Sequence, residues 1–490
     1  MNDNRRETSP IEPLALLALA TLLAAGVLVW VWAALAGLLF GSGWPPDSAG
    51  QLAGALIRLP GHLSDPRMAW PAATRDRLPA PPGFYAALVI LLAVVSVLVA
   101  GLTRAHTRGL FSANREDERR GARWARAGEL RLLLPRRQRR RDDGRLGLGY
   151  RGRRLLRGEA RHALVVFGPT QSFKSAGLAI PALLEWDGPA VASSTKTDLL
   201  AATIRARENT GEVMVFDPFG LSTAPTATWS PLRACGDWDG ALSTAMRLSA
   251  GGELDTTSVR GGSYWQAAAE QRLAPLLWTA AHTGTGIGAM VRWAYGQGDA
   301  ELPAILTQLL HSAPGDRERA DAQAAFDAHA AFEALAADTR SSIESTVQML
   351  LRAYRSPRVQ ASAAGSQITP DRLLDHRGTL YLVGDSHRSK LLRPIFLALL
   401  QELIDHAYQH ATFQGGLLRD PLLLCLDELG NVAPLPNLGE IASTAASHNI
   451  QLVSIFHDIA QARARYGEQT LTVINNHRAR MLLPGVADLD

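Results

Sequence analysis

The chain has 490 residues, 47% of them hydrophobic, and a formal charge of +4. That length exceeds what one hydrophobic core accommodates, so several domains are expected. Its two cysteines, Cys235 and Cys425, have no metal-ligand spacing around them, which excludes a disulfide framework and a cysteine zinc site and suits a cytosolic body.

From Pro13 to Pro45 there is no charge, and the core of that span, "LALLALATLLAAGVLVWVWAALAGLLF", exceeds the roughly 20 apolar residues that cross a bilayer. It is too long for the apolar region of a cleaved signal peptide, and no small-residue cleavage site follows, so it reads as an uncleaved anchor. A second uncharged stretch, "PPGFYAALVILLAVVSVLVAGLT", ends before Arg104. Residues 1–103 are therefore expected to form a membrane anchor, with transmembrane helices at about 13–40 and 84–103 and an extracytoplasmic loop between them. A buried core helix is the competing reading of each span.

Arg5 and Arg6 precede the first span, and the basic runs "REDERRGARWARAG" and "PRRQRRRDDGR" follow the second, whereas the loop carries Arg58, Arg67, Arg75 and Arg77. This charge excess on the outer flanks places both termini in the cytoplasm, as a two-pass protein of the inner or plasma membrane. Residues 104–160 read as a basic juxtamembrane linker. Its aromatics are sparse, Phe111, Trp124 and Tyr150, so attraction to anionic headgroups explains its charge better than a nucleic-acid patch does.

Beyond the linker, strand-like and helix-like runs alternate. "HALVVFG" leads to a glycine loop and a helix, "GPAVASST" leads to "KTDLLAATIRARE", and "GEVMVFDP" follows. From about Cys235 to Ser362 no convincing strand occurs, only Ala- and Leu-rich amphipathic stretches such as "YWQAAAEQRLAPLLWTAAH". The alternation resumes with "GTLYLVGD", the long helix "LLRPIFLALLQELIDHAYQH", "PLLLCLDE" and "NIQLVSIFHD". The fold class is thus α/β: a mostly parallel sheet, formed by residues 161–234 and 363–490, interrupted by an all-helical insertion at 235–362.

The chemistry begins at "GPTQSFKS", residues 168–175. It approximates the phosphate-binding pattern G-x-x-x-x-G-K-[ST], in which backbone N–H groups and a helix N-terminus hold the phosphates, Lys neutralises them and Ser or Thr binds magnesium. Gly168, Lys174 and Ser175 match; Phe173 stands where the second glycine belongs, a position that tolerates a Cβ poorly. An ordinary strand-to-helix turn remains the alternative for the loop alone. Its partner is "PLLLCLDELGN", an apolar strand with Asp427 and Glu428 at its carboxyl end, one to hold magnesium and one to polarise water.

With "SSTKTDLL", "VFDPFG", "WSPL", "LYLVGD", "LDELGN" and "LPNLGEIASTAASHNIQLVSIFHDIAQARARYG" added to the loop and the two spans, the chain resembles the coupling proteins of conjugation and type IV secretion (the TraG/TraD type). These are membrane-anchored hexameric motor ATPases with a RecA-like P-loop domain. The resemblance implies ATP and Mg2+ as cofactors, with Gly168, Pro169, Thr170, Gln171, Ser172, Phe173, Lys174 and Ser175 binding the nucleotide. It makes Lys174 the phosphate clamp, Ser175 and Asp427 the magnesium ligands, and Glu428 the catalytic base. His457 falls where relatives usually present a Gln that senses the γ-phosphate. The implied partners are a DNA–relaxase complex or an effector protein, the components of a type IV secretion channel, and further copies of the chain.

Two departures stand out. Relatives carry an arginine in the turn before the last strand, where this chain reads "STAASHN" with Ala446 and His448; Arg340 and Arg478 are the candidate substitutes. Relatives also continue beyond the point where this chain stops, at Asp490. A docking scaffold that binds nucleotide poorly is the alternative to a motor. An FtsK-like double-stranded DNA translocase is a second alternative, expected to have more spans and a separate DNA-binding module.

Overall fold

The computed structural model describes residues 11–44, 49–107, 125, 128–134, 145–252, 262–298, 300–385 and 387–485. Arg5, Arg6 and most of the two basic runs lie outside the described residues. The chain divides into two units, Met1–Trp124 and Ala125–Asp490.

In the first unit, the helices Ile11–Phe40 and Pro81–Thr107 are the long elements. Among the described residues, one segment, Pro81–Ala100, is long and apolar enough to cross a membrane. Its outward side chains, among them Val89, Leu92, Val97 and Leu98, are exposed, whereas Phe84, Ala87 and Leu91 pack with Trp32, Ala36 and Trp70. Trp32 Nε1, buried there, donates to Phe84 O at 2.7 Å, which removes the cost of sequestering an indole N–H.

In the second unit a short 3-10 helix, Glu129–Leu133, precedes an antiparallel hairpin, β1 (Gly147–Arg151) and β2 (Arg154–Arg157), both inside the stretch read as linker. A seven-stranded sheet follows, built from β3 (Leu164–Phe167), β4 (Ala190–Ser194), β5 (Val213–Phe216), β6 (Thr379–Val383), β7 (Leu422–Leu426), β8 (Ile450–Phe456) and β9 (Ala479–Leu482). The spatial order is β5-β6-β4-β7-β8-β3-β9, and every pairing is parallel.

Parallel strands need both faces covered, which is why β7 reads as an unbroken apolar run. Its residues divide by parity: Leu422, Leu424 and Leu426 enter one core, Leu423 and Cys425 the other. Leu178, Leu183, Leu199 and Leu200, from the segments after the glycine loop and after β4, fill the second core. The first is filled by the helix Ser389–Phe413 and by helices between Trp238 and Ser362, through Leu273, Leu277, Val347 and Leu351. The segment 235–362, without strands among the described residues, thus shares a continuous core with one face of the sheet.

Candidate active site

The candidate residues gather at the carboxyl ends of three adjacent strands, with β8 lying between β3 and β7. This interposition brings His457, which follows β8, between the loop that follows β3 and the acids that follow β7.

The loop is anchored at its first residue, where Gly168 N–H donates to Phe456 O at 3.1 Å. A Cβ at Gly168 would lie 2.6 Å from Ser172 Oγ and 2.8 Å from Leu483 Cδ1, so glycine is required there by packing. Gln171 (φ 65°) and Phe173 (φ 62°) are left-handed, and Lys174 returns to the right-handed region (φ −51°). Such an alternation turns successive N–H groups toward one concave side and makes an anion cradle. Phe173 therefore adopts the dihedral that a glycine would supply, at a cost of about 1–2 kcal/mol. Its ring is 77% exposed rather than wedged into the cradle.

Beyond the loop, Ser175–Ala179 forms a π turn that runs into the helix Ile180–Glu185. Lys174 is buried; its Nζ donates to Pro169 O at 2.9 Å and meets His457 Nδ1 at 3.3 Å. Burial pushes the Lys174 ammonium below its usual pKa, and Lys196 acts in the same direction, while Asp427 and Glu428 oppose the fall.

Ser175 Oγ donates to Asp427 Oδ2 at 2.5 Å, joining residues far apart in sequence. Burial holds the Asp427 carboxyl above the usual range, and the Ser175 hydroxyl pulls it back. Glu428 is left-handed (φ 52°, ψ 41°), and its Oε2 accepts from Thr195 Oγ1 at 2.5 Å. Its Oε1 lies 3.9 Å from His457 Nε2. Left-handed backbone at a non-glycine residue costs stability and persists where surrounding contacts enforce it, a pattern that clusters at functional sites.

Several contributors carry no signal of their own in the sequence. Ser193 Oγ donates to Asp427 O at 3.2 Å, so the end of β4 supports both acids; the hint was the motif "SSTKTDLL". Lys196 in that motif is exposed and makes no ion pair among the described residues. Asn431 and Gln461 flank His457: Gln461 Oε1 accepts from His457 N–H at 2.9 Å, and Asn431 Nδ2 lies 3.5 Å from His457 Nε2.

The residues fit a magnesium–phosphate group. Ser175 and Asp427 supply adjacent hard oxygen donors, the type Mg2+ prefers. Ser172 Oγ, buried in the loop without a hydrogen-bond partner among the described residues, supplies a hydroxyl that an anion would satisfy.

The two candidate arginines lie elsewhere. Arg340 is bound to Glu333 through its carboxylate (2.8 Å) and its carbonyl (2.9 Å). Arg478 meets His162 Nε2 at 3.3 Å and directly precedes β9, at the amino end of the sheet. The turn Ala445–His448, which precedes β8, is at that same end.

Comparison with known proteins gives one consistent result. The model of a family described as "Type IV secretory system Conjugative DNA transfer" matches residues 123–490. The conjugal transfer protein TraG of Escherichia coli is 25% identical over 354 residues, 66% of this chain and 52% of TraG. The protein VirD4 of Rhizobium rhizogenes is 24% identical over 398 residues, 79% of this chain and 56% of VirD4. The chain thus spans about half the length of these curated relatives. Among solved structures, the bacterial conjugative coupling protein TrwBdeltaN70 in its unbound monoclinic form superposes with a TM-score of 0.53 at 16% identity, covering 74% of this chain and 75% of the other. That likeness concerns the fold.

Proposed function

The chain belongs to the type IV secretory system conjugative DNA transfer family, and from that premise we propose that it is a membrane-anchored, ATP-driven coupling protein. It delivers DNA, as a relaxase complex, or a protein substrate to a type IV secretion channel. The observation that carries this reading is the Ser175–Asp427 contact beside buried Lys174, which unites the phosphate loop and the acid strand in one site.

Lys174 and the loop N–H groups bind the phosphates, and Ser172 adds a hydroxyl. Ser175 and Asp427 would hold Mg2+, which when bound neutralises developing charge on the phosphates. Glu428, aimed by Thr195, takes the proton of the attacking water, and His457, set between Lys174 and Glu428, would donate a hydrogen bond to a terminal phosphate. Lys196 supplies a second cation from the neighbouring loop. The outward ring of Phe173 supports an open cradle, against the docking-scaffold alternative.

The helices Ile11–Phe40 and Pro81–Thr107 support a two-pass anchor, the basic flanks of the sequence put both termini in the cytoplasm, and copies of the chain assemble into a ring. The test is magnesium-dependent ATP hydrolysis by the full chain in lipid vesicles. Glu428→Gln is expected to lower kcat by about 10²–10⁴, and Phe173→Gly, which relieves the left-handed strain, to preserve or raise it. Wild-type protein without hydrolysis, regaining it in Phe173→Gly, would overturn the open-cradle reading.

A further inference from the structure

His457 is claimed by two donors with incompatible demands. A backbone N–H can only donate, so the 2.9 Å bond from His457 N fixes Gln461 Oε1 as the acceptor. The amide nitrogen of Gln461 then faces Asn431 Oδ1, at 3.2 Å. That in turn fixes the other end of Asn431: Nδ2, a donor, faces His457 Nε2 at 3.5 Å. The relay starts and ends on one residue and requires Nε2 to accept, which puts the proton of a neutral imidazole on Nδ1.

Lys174 requires the reverse. An ammonium has three donors and no acceptor, so its 3.3 Å contact with Nδ1 needs a lone pair there, leaving the proton on Nε2, on the side of Glu428. The relay itself is held firmly: Gln461 packs across Gly430, where a Cβ would lie 2.8 Å from Gln461 Cδ, and Arg465 Nε donates to Gly430 O at 3.0 Å.

We propose that Asn431 and Gln461 are positioning residues that set a tautomer switch in His457. While Lys174 lies on Nδ1, the ring is in its Nε2–H form. When a phosphate draws the ammonium away, the amide relay moves the imidazole to its Nδ1–H form, and His457 presents a hydrogen-bond donor where Lys174 had been. The only change in the ring is the location of one proton, lost at Nε2 and gained at Nδ1 through exchange with solvent. The imidazole then performs the donor role of an amide, and it does so only after Lys174 has engaged its anion. This inference rests on the reading of Lys174 as the phosphate-binding lysine.

The test has two arms. Full-length chain with isotope-labelled histidine, reconstituted in bilayers without nucleotide, reports the tautomer through ring 15N and 13C shifts, with the His457 signals assigned by difference from His457→Gln. Expected are Nε2–H in the wild type, Nδ1–H in Lys174→Met, and Nε2–H again in Lys174→Met/Asn431→Asp, because a carboxylate only accepts. Nε2–H persisting in Lys174→Met overturns the proposal whether or not the protein hydrolyses ATP.

The second arm measures kcat and KM for ATP. Asn431→Asp is expected to lower kcat by about tenfold to a hundredfold with KM nearly unchanged, and to cost less than about twofold in a His457→Gln background, where no tautomer is at stake. Equal losses in both backgrounds assign Asn431 a merely structural role and overturn the proposal. A wild type without hydrolysis overturns the ATPase reading instead, and the tautomer arm then decides alone.

Discussion

The two ends of the parallel sheet hold similar polar side chains under opposite conditions. At the amino ends, the charged and imidazole side chains find partners within the chain, although the amide oxygen of Gln451 on β8 is buried without one among the described residues. Arg207, 1% exposed, donates to Trp186 O, to Gly188 O and to Thr379 Oγ1, tying a covering helix to β4 and β6. Arg377 forms a forked pair with Asp420. His477, just before β9, donates from Nδ1 to Val473 O at 2.7 Å and accepts from Ser454 Oγ at Nε2, 3.0 Å away.

At the carboxyl ends the demands conflict. Lys174 is buried with the like charge of Lys196 acting on it, and His457 is claimed by two donors. Satisfied polar groups stabilise a fold, whereas unsatisfied ones mark the place where a ligand completes the arrangement. The contrast between His477, a structural histidine with one tautomer, and His457, with two, is the clearest instance.

The largest expected effect falls on the amino end. Arg207→Leu removes the donor to three carbonyls, of Leu183, Trp186 and Gly188, and to the Thr379 hydroxyl, and should destabilise the protein by about 3 kcal/mol. Thermal unfolding of the reconstituted chain measures this, and nucleotide affinity per folded molecule should hold. A loss of affinity at unchanged stability would break the division between the two ends.

His477 gives a comparable effect with a defined pH window. Burial lowers its pKa to about 4, from an ordinary value of 6.5. The unfolded state therefore binds the proton first as pH falls, so the stability contribution is complete above about 6.5 and is lost on acidification toward about 4, by up to roughly 3 kcal/mol. Denaturant titrations at several pH values across that window should show the decline, and His477→Gln should flatten it. An equally steep decline in the variant would place the acid sensitivity elsewhere.

A paired substitution sharpens the comparison with a smaller effect. Lys196→Ala should lower kcat for ATP by about tenfold to a hundredfold with little change in unfolding midpoint, because the side chain makes no ion pair among the described residues. Arg377→Ala, which removes a half-exposed ion pair, should shift stability by at most about 1 kcal/mol and leave kcat unchanged. Similar kinetic effects from both would mean that the two ends are not functionally distinct.

Much of the site was legible from local rules. Gly168, Lys174, Ser175, Asp427 and Glu428 sit at fixed offsets from apolar strands, and the structure brings all five together. The hairpin β1–β2 was not legible: its strands are short and Arg-rich, so the periodic apolar signal is weak and the segment reads as linker. The stretch from Cys235 to Ser362 is helical among the described residues, and its sharing of a core with one sheet face depends on contacts that no sequence window contains.

By itself, then, the sequence determined most strands of the parallel sheet, the glycine loop and the pair of acids, because hydrophobic periodicity and a glycine-lysine-serine spacing act over a few residues. Only the tertiary structure decided the order β5-β6-β4-β7-β8-β3-β9, which sets β8 between loop and acids and so gives His457 its neighbours. It also decided that Thr195, 233 positions from Glu428, would hold that carboxylate, and that Phe173 would take a glycine's dihedral with its ring in solvent. The physical reason is that strand order and side-chain juxtaposition follow from how crossover helices bury both faces of the sheet, a requirement satisfied by the whole chain at once and written in no single segment.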